Sequence, residues 1–313
     1  MAKIKLISGS ANEELAKDVA SSLKTKLIKT KIAKFKDGEI YVRIEETVRG
    51  QHVFVVQPVS PKVNDHLMEL LITIDALKRA SAEKITAVVP YYPYARQDRK
   101  TKSREPITAK LVANLITKAG ADRVLTIDLH SSQIQGFFDI PADNLTATGL
   151  FAEYFKKKKL KDFTVVSPDV GGTKRARKLA NLLGCPIAII DKRRDKPNEV
   201  AKMNIVGDVK GKNAIILDDI IDTGGTITLA SEVLKKEGAK DVYLAVTHGL
   251  FSDPAQQRLQ KSIAKEIVIT NTIPLPKNKK IPKIKIISVA NLIAQAIKNI
   301  EEHKSLQKLF EYS

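Results

Sequence analysis

Short, β-branched apolar runs alternate with helix-patterned segments along nearly the whole chain, and that alternation restricts it to an α/β architecture with mostly parallel sheets flanked by helices. Strands are expected at 3–8, 39–44, 52–57, 84–90, 123–128, 163–167, 187–191, 213–217, 242–246, 266–270 and 285–287. Helices are expected at 11–23, 63–80, 107–119, 173–183, 226–236 and 289–300. The first unit shows the pattern: a strand Lys3 to Ser8, a turn at Gly9, then Ser10 and Glu13 spaced as a capping box at the head of a helix. With 313 residues the chain suits two domains. Thr86-Ala-Val-Val-Pro-Tyr and Thr164-Val-Val-Ser-Pro-Asp are both strand ends, each followed by a later strand ending in Asp, at Asp128 and Asp218. This faint repeat suggests duplicated halves, 1–146 and 147–313.

The run from Ala214 through Asp218, Asp219, Asp222, Thr223, Gly224, Gly225 and Thr226 joins an apolar strand to a helix through a Gly-Gly turn bracketed by threonines. Ligands of open α/β sheets bind beyond the carboxyl ends of strands, and the N–H groups that open a helix attract anions. Glycines let the backbone approach a phosphate closely, and the threonine hydroxyls can donate to its oxygens. Ionised Asp218 and Asp219 can only accept hydrogen bonds, so they suit the vicinal hydroxyls of a ribose, with or without Mg²⁺ between. The competing reading, an acidic loop whose aspartates merely cap the next helix, accounts for one Asp better than for the ordered string.

A formal charge of +18 points to an anionic partner. Basic residues are scattered, as at Lys156 to Lys159 and Lys277 to Lys280. Aromatics make up only 5%, and Trp is absent, so small polyphosphates fit better than nucleic acid. No run reaches membrane-spanning length, and the apolar stretch after Lys3 is too short for an export signal. Cys185 is the single cysteine, and with no internal disulfide possible a reducing cytoplasm is the expected setting.

Three further segments carry chemistry. Pro90 to Arg104 combines prolines, Tyr91, Tyr92 and Tyr94 with Arg96, Gln97 and a basic cluster; tyrosine faces stack on bases and Arg96 offers a fork to phosphate, although a solvated basic loop has the same composition. Asp128-Leu-His130 and Ser167-Pro-Asp169-Val-Gly-Gly end strands, where His130 and Asp169 are candidate Mg²⁺ anchors or ordinary strand-end residues. Asp191-Lys-Arg-Arg-Asp-Lys-Pro-Asn198 is a dense charge run, either solvated or a cationic loop that stabilises phosphoryl transfer.

Together these segments, with FKDGEIYVRIEETVRG (35–50), YARQD (94–98), DLHSSQIQGFFDIP (128–141), SPDVGG (167–172) and DKRRDKPN (191–198), resemble the ribose-phosphate diphosphokinases of phosphate-activated bacterial type, nearly end to end. The resemblance implies two phosphoribosyltransferase-like domains, the last helix being able to pack back on the first, and hexamers of the same chain. It implies transfer of the diphosphoryl group of ATP to the 1-hydroxyl of ribose 5-phosphate, with Mg²⁺. Asp222 to Thr226 would grip the 5-phosphate and Asp218 with Asp219 the hydroxyls; Arg96, Gln97 and His130 would lie at ATP. Phe35, Asp37 and Glu39 would complete the adenine site from a neighbouring subunit, a segment that otherwise reads as an ordinary hairpin. His130 and Asp169 would hold the metal, and Lys192 and Arg194 would close over the transferring group, Arg194 also meeting ribose 5-phosphate. Thr47, Arg49, Gln135, Asp143 and Asn144 would be regulatory. Two residues depart from the family's pattern: His66 stands where Asn is expected, and Thr47 where Ser is common. A phosphoribosyltransferase, or a non-catalytic regulatory subunit, are the alternatives that share parts of this pattern.

Overall fold

The computed structural model describes residues 4–193, 202–276 and 281–311. In chain order the elements are β1 (Lys5–Ser8), α1 (Glu13–Ser22), β2 (Thr30–Lys34), β3 (Ile40–Ile44), β4 (His52–Val56), α2 (Val63–Arg79), β5 (Lys84–Val89), α3 (Thr108–Ala119), β6 (Arg123–Ile127), a 3₁₀ segment (Ser132–Phe137) and β7 (Ala142–Leu145). Then follow α4 (Thr148–Lys157), β8 (Phe163–Ser167), α5 (Thr173–Leu183), β9 (Ile187–Arg193), β10 (Lys202–Val206), β11 (Asn213–Ile221), α6 (Gly225–Lys236), β12 (Val242–Gly249), α7 (Ala255–Lys261), β13 (Glu266–Thr270), β14 (Ile284–Ile287), α8 (Ala290–Glu301) and α9 (Gln307–Glu311).

These elements form two compact units. One is the chain through Thr146 with Thr272–Pro274 and Ser288–Glu311; the other is Ala147–Asn271 with Leu275–Ile287. The first holds a parallel sheet in the order β1-β4-β5-β6-β7 and a separate antiparallel hairpin, β2-β3. The second holds a sheet in the order β10-β9-β8-β11-β12-β13-β14, parallel except for β10. All residues of β12 and nearly all of β5 are buried, which explains why these strands read as continuous apolar runs rather than as alternating ones. Val53, Val55, Ile74, Leu77, Ile116 and Val124 sit in the core of the first unit; Val166, Ile216, Leu234, Leu244 and Ile267 sit in that of the second.

The structure corrects the sequence reading at several points. The first helix starts at Glu13, not Ala11, and Asn12 caps it by accepting the Leu15 N–H at 3.2 Å. Ser10 is no cap: its N–H and Oγ both donate to the Glu69 carboxylate of α2, at 2.7 and 2.5 Å. Glu69 is buried, and a buried carboxylate claims donors more strongly than a helix end that Asn12 can serve. β11 runs four residues further than expected, to Ile221, paired with β12 through Asp218↔Val246 and Ile221↔Gly249. β2, β7 and β10 are strands that the apolar-run criterion does not find, because each is short and rich in polar residues.

Following β14, α8 packs with α1 in the first unit. Ser22 Oγ donates to Asn291 at 2.8 Å, and His52 Nδ1 meets Glu301 at 2.9 Å while its Nε2 lies 2.8 Å from Thr86 Oγ1.

Candidate active site

β11 is flanked on both sides by parallel strands, β8 and β12, so whatever leaves its carboxyl end emerges at the middle of the sheet. Leu250 N–H donates to Ile221 O at 2.9 Å and pins that end. The chain then turns through Asp222 and the exposed Thr223 into α6. Gly224 is the N-cap with φ +73, a left-handed conformation that costs a side-chain-bearing residue energy, and it brings no capping side chain to the first-turn N–H groups. A Cβ on Gly225 would stand 3.3 Å from Arg258 Nη1, so this glycine keeps the loop surface open beneath a guanidinium. Arg258 Nη1 also donates to Thr223 O at 3.2 Å. Thr226 is exposed at the start of the helix. The strand-turn-helix geometry is that of an anion cradle.

Asp218 and Asp219 thus lie within β11 rather than in the loop after it. Their side chains are 21% and 7% exposed, and a residue the sequence reading missed, Arg175 of α5, reaches them: Nη1 is 3.0 Å from Asp219 Oδ1 and 3.9 Å from Asp218 Oδ1. Asp219 N–H donates to Asp218 Oδ1 at 2.9 Å. Two carboxylates share one guanidinium. Burial, then the neighbouring Asp219 charge, push the Asp218 carboxyl up to about 8. Below that value Asp218 keeps its proton, so the pair sets a carboxylate beside a carboxyl group, and together they can accept from and donate to vicinal hydroxyls.

Asp169, exposed beyond β8, accepts the Gly172 N–H at 2.9 Å and so orders the turn into α5, the helix that supplies Arg175. His130 is exposed beyond β6. Asp128 before it is buried with φ 43, and Leu129 N–H donates to Asn144 Oδ1 at 3.0 Å, which ties this turn to β7. Among the described residues no group of three or more His, Cys, Asp or Glu is gathered as a metal cluster. Magnesium does not require one, because it takes one or two carboxylates together with water and substrate oxygens.

The nucleotide segment is partly recast. Tyr91 and Tyr92 are buried, Tyr92 Oη donating to Ala109 O at 2.9 Å, so neither presents a face to a base. Tyr94 has φ 55 and its hydroxyl bonds Asn64 of α2. Arg96 and Gln97 are exposed; Gln97 Oε1 accepts from Thr108 Oγ1 at 2.6 Å. The tyrosines build the loop, and the residues after them face outward. Phe35, Asp37 and Glu39 occupy the exposed turn between β2 and β3. There Phe35 N–H donates to Glu39 O, Asp37 accepts the Glu39 N–H, and Lys34 meets Asp65 of α2 at 2.6 Å. Phe35 is 56% exposed.

Thr47 and Arg49 are exposed between β3 and β4. Asp143 pairs with Arg123 and Asn144 with Leu129, while Gln135 Nε2 donates to Ser132 O at 3.2 Å. Arg194 lies outside the described residues. Lys192 is described only in its backbone, within β9 opposite Met203 of β10.

The family model for the N-terminal domain of ribose phosphate pyrophosphokinase matches residues 4–120, and that for the phosphoribosyl synthetase-associated domain matches 192–311. Ribose-phosphate pyrophosphokinase of Fusobacterium nucleatum is 59% identical over 309 residues, 98% of either chain. That of Bacillus caldolyticus is 58% identical over 309 residues, 99% of this chain and 98% of its own. The crystal structure of phosphoribosylpyrophosphate synthetase from Mycobacterium smegmatis matches with a TM-score of 0.91 at 47% identity, covering 96% of this chain and 99% of that one. With matches of this extent around the carboxylate pair and its glycine turn, the chain belongs to the ribose-phosphate pyrophosphokinase family.

Proposed function

We propose that this enzyme makes 5-phosphoribosyl 1-diphosphate by moving the diphosphoryl group of ATP, with Mg²⁺, to ribose 5-phosphate. The observation that carries the proposal is the carboxyl end of β11, where a carboxylate pair directly precedes an uncapped helix start: acceptors for sugar hydroxyls and donors for a phosphate follow one another in a single strand-turn-helix. Asp222, Thr223, Gly224, Gly225 and Thr226 hold the 5-phosphate. Asp218 and Asp219 hold the ribose hydroxyls and orient the nucleophile. Arg96, Gln97 and His130 bind ATP, and Phe35, Asp37 and Glu39 serve the adenine of a neighbouring copy.

The ribose 1-hydroxyl oxygen attacks the β-phosphorus in line. The bond from that phosphorus to the oxygen bridging the α- and β-phosphates breaks, AMP leaves with that oxygen, and the hydroxyl proton is lost. Positioned cations do most of the work in such transfers. His130 and Asp169 would hold Mg²⁺, which when bound would neutralise charge at phosphate oxygens. Lys192 and Arg194 supply the remaining positive charge. No helix among the described residues is long and apolar enough to cross a membrane.

The chain works as a homo-oligomer, a hexamer in the family's usual form. Ile107 at the N-cap of α3, and Leu111 and Leu115 within it, are exposed at four-residue spacing; α3 packs against α2, and Met68 of α2 is exposed as well. An apolar stripe of this kind suits a second copy.

The test is AMP formation from ATP and ribose 5-phosphate with Mg²⁺, with and without inorganic phosphate and ADP. AMP appearing without any nucleobase supports the proposal and excludes a phosphoribosyltransferase; no AMP from the folded protein overturns it. Stimulation by phosphate and inhibition by ADP are the outcomes expected if Thr47, Arg49, Gln135, Asp143 and Asn144 are regulatory. In the same assay Lys192→Ala is expected to lower kcat by roughly 10²- to 10⁵-fold, the range for lost oxyanion donors and arginine fingers. Near-normal turnover would remove Lys192 from the mechanism.

A further inference from the structure

The cradle at 218–226 has an electrostatic deficit. It carries Asp218, Asp219 and Asp222 and no lysine or arginine, yet it is to receive a sugar phosphate whose charge at pH 7 approaches −2. Helix N–H groups and two threonine hydroxyls offer only partial charges. Arg175 lies against the carboxylates, its guanidinium 3.0 Å from Asp219. The loop itself supplies no full cation to the phosphate, so any that meets it comes from elsewhere in the fold.

Arg258 is placed to supply it. It follows Thr223 by 35 residues, on α7, and its Nη1 donates to Thr223 O while lying 3.3 Å from the site of a Gly225 Cβ. The guanidinium therefore lies over the two residues that shape the cradle. Its backbone is fixed with respect to the loop: Ala255 and Leu259 are fully buried, and Leu259 packs under Gly224, 3.4 Å from where its Cβ would be. The side chain itself is exposed, and the bond to Thr223 uses one of five N–H donors in a planar fork that matches phosphate oxygens. We propose that Arg258 is a further ligand of the ribose 5-phosphate, donating to its 5-phosphate from outside the loop and setting the preference for a phosphorylated sugar. This rests on the reading that Asp222 to Thr226 hold that phosphate.

The experiment measures KM for ribose 5-phosphate, KM for ATP, kcat, and Ki for unphosphorylated ribose as a competitor, in the wild type and in Arg258→Ala, Arg258→Lys and Thr226→Val. For Arg258→Ala the KM for ribose 5-phosphate should rise about 10- to 100-fold, as for loss of a charge-assisted hydrogen bond. KM for ATP, Ki for ribose and the unfolding midpoint should stay close to wild type, and Arg258→Lys should fall between. A KM for ribose 5-phosphate within about twofold of wild type overturns the proposal, since loss of such a bond is worth far more. Equal losses for ribose and ribose 5-phosphate overturn it too, because they mean a distorted loop rather than a lost phosphate contact. Thr226→Val separates the two levels: if it weakens ribose 5-phosphate and Arg258→Ala does not, only the role of Arg258 fails; if neither does, the phosphate reading of the loop fails.

Discussion

Asp218, proposed to bind the ribose hydroxyls, costs the fold stability. Its carboxyl is pushed up to about 8 by burial and by Asp219, against about 3.9 for an unfolded aspartate. The native state therefore binds more protons than the unfolded one between those values. Stability associated with this group is greatest below about 4 and is lost as pH rises toward about 8. Asp218→Asn removes the effect, so thermal unfolding of the ligand-free variant from pH 5 to 9 should show a midpoint above wild type at the alkaline end, with the gap closing toward pH 5. Turnover should meanwhile be lost. A constant gap across the range would refute the assignment. At this scale the sequence shows the acceptors and the glycines of the turn, because they are adjacent in the chain. It hides Arg175 and Arg258, which reach the same site from 44 and 35 residues away and carry no local pattern.

Elements are legible where both faces of a strand are covered and obscure where they are not. β4, β5, β8, β11, β12 and β13 stand out as apolar runs because helices cover the sheet. β11 is still underestimated: Asp218 and Asp219 look like turn chemistry, but the ladder to β12 continues through them, and it is the strand that holds both carboxylates in place. β2 and β3 form a hairpin outside the main sheet, packed against α2, with little apolar signal, and the exposure of Phe35 at its tip becomes meaningful only beside the family resemblance. The link of α8 to β4 was also hidden, since it joins residues 249 apart. Burial lowers the His52 pKa and Glu301 opposes the shift. A lowered histidine makes the native state take up protons less readily than the unfolded state just below pH 6.5, so stability rises with pH through that window. Charged Lys84 and Asp122 also act on His52, in opposite senses, and Glu301 is its strongest favourable partner. Glu301→Ala should therefore destabilise the protein by about 1.5–3 kcal/mol, the range for a hydrogen bond to a charged group, and more at pH 6 than at pH 8. Denaturant titrations at the two pH values check this; equal losses would mean that the contact acts without charge.

At the scale of the whole molecule, a net charge of +18 and two α/β units describe many nucleotide enzymes, and neither says how copies meet. The surface of the first unit is more specific. Its exposed hairpin tip and the stripe Ile107, Leu111 and Leu115 are apolar features that the fold of a single copy does not use. If a neighbouring copy covers the stripe and the hairpin serves a neighbour's adenine site, assembly and ATP binding must fail together. Leu111 is 54% exposed, so Leu111→Asp should leave the unfolding midpoint of an isolated copy almost unchanged. Burying an unpaired carboxylate in an apolar interface is strongly unfavourable. The variant is therefore expected to sediment as smaller species than wild type, with a raised KM for ATP and an unaltered affinity for ribose 5-phosphate, whose proposed ligands all lie in the second unit. Raising the protein concentration should restore both mass and ATP affinity by mass action. A variant of wild-type mass with normal ATP kinetics would take α3 out of the interface. A smaller species with normal ATP kinetics would instead show that the adenine site is complete within one copy.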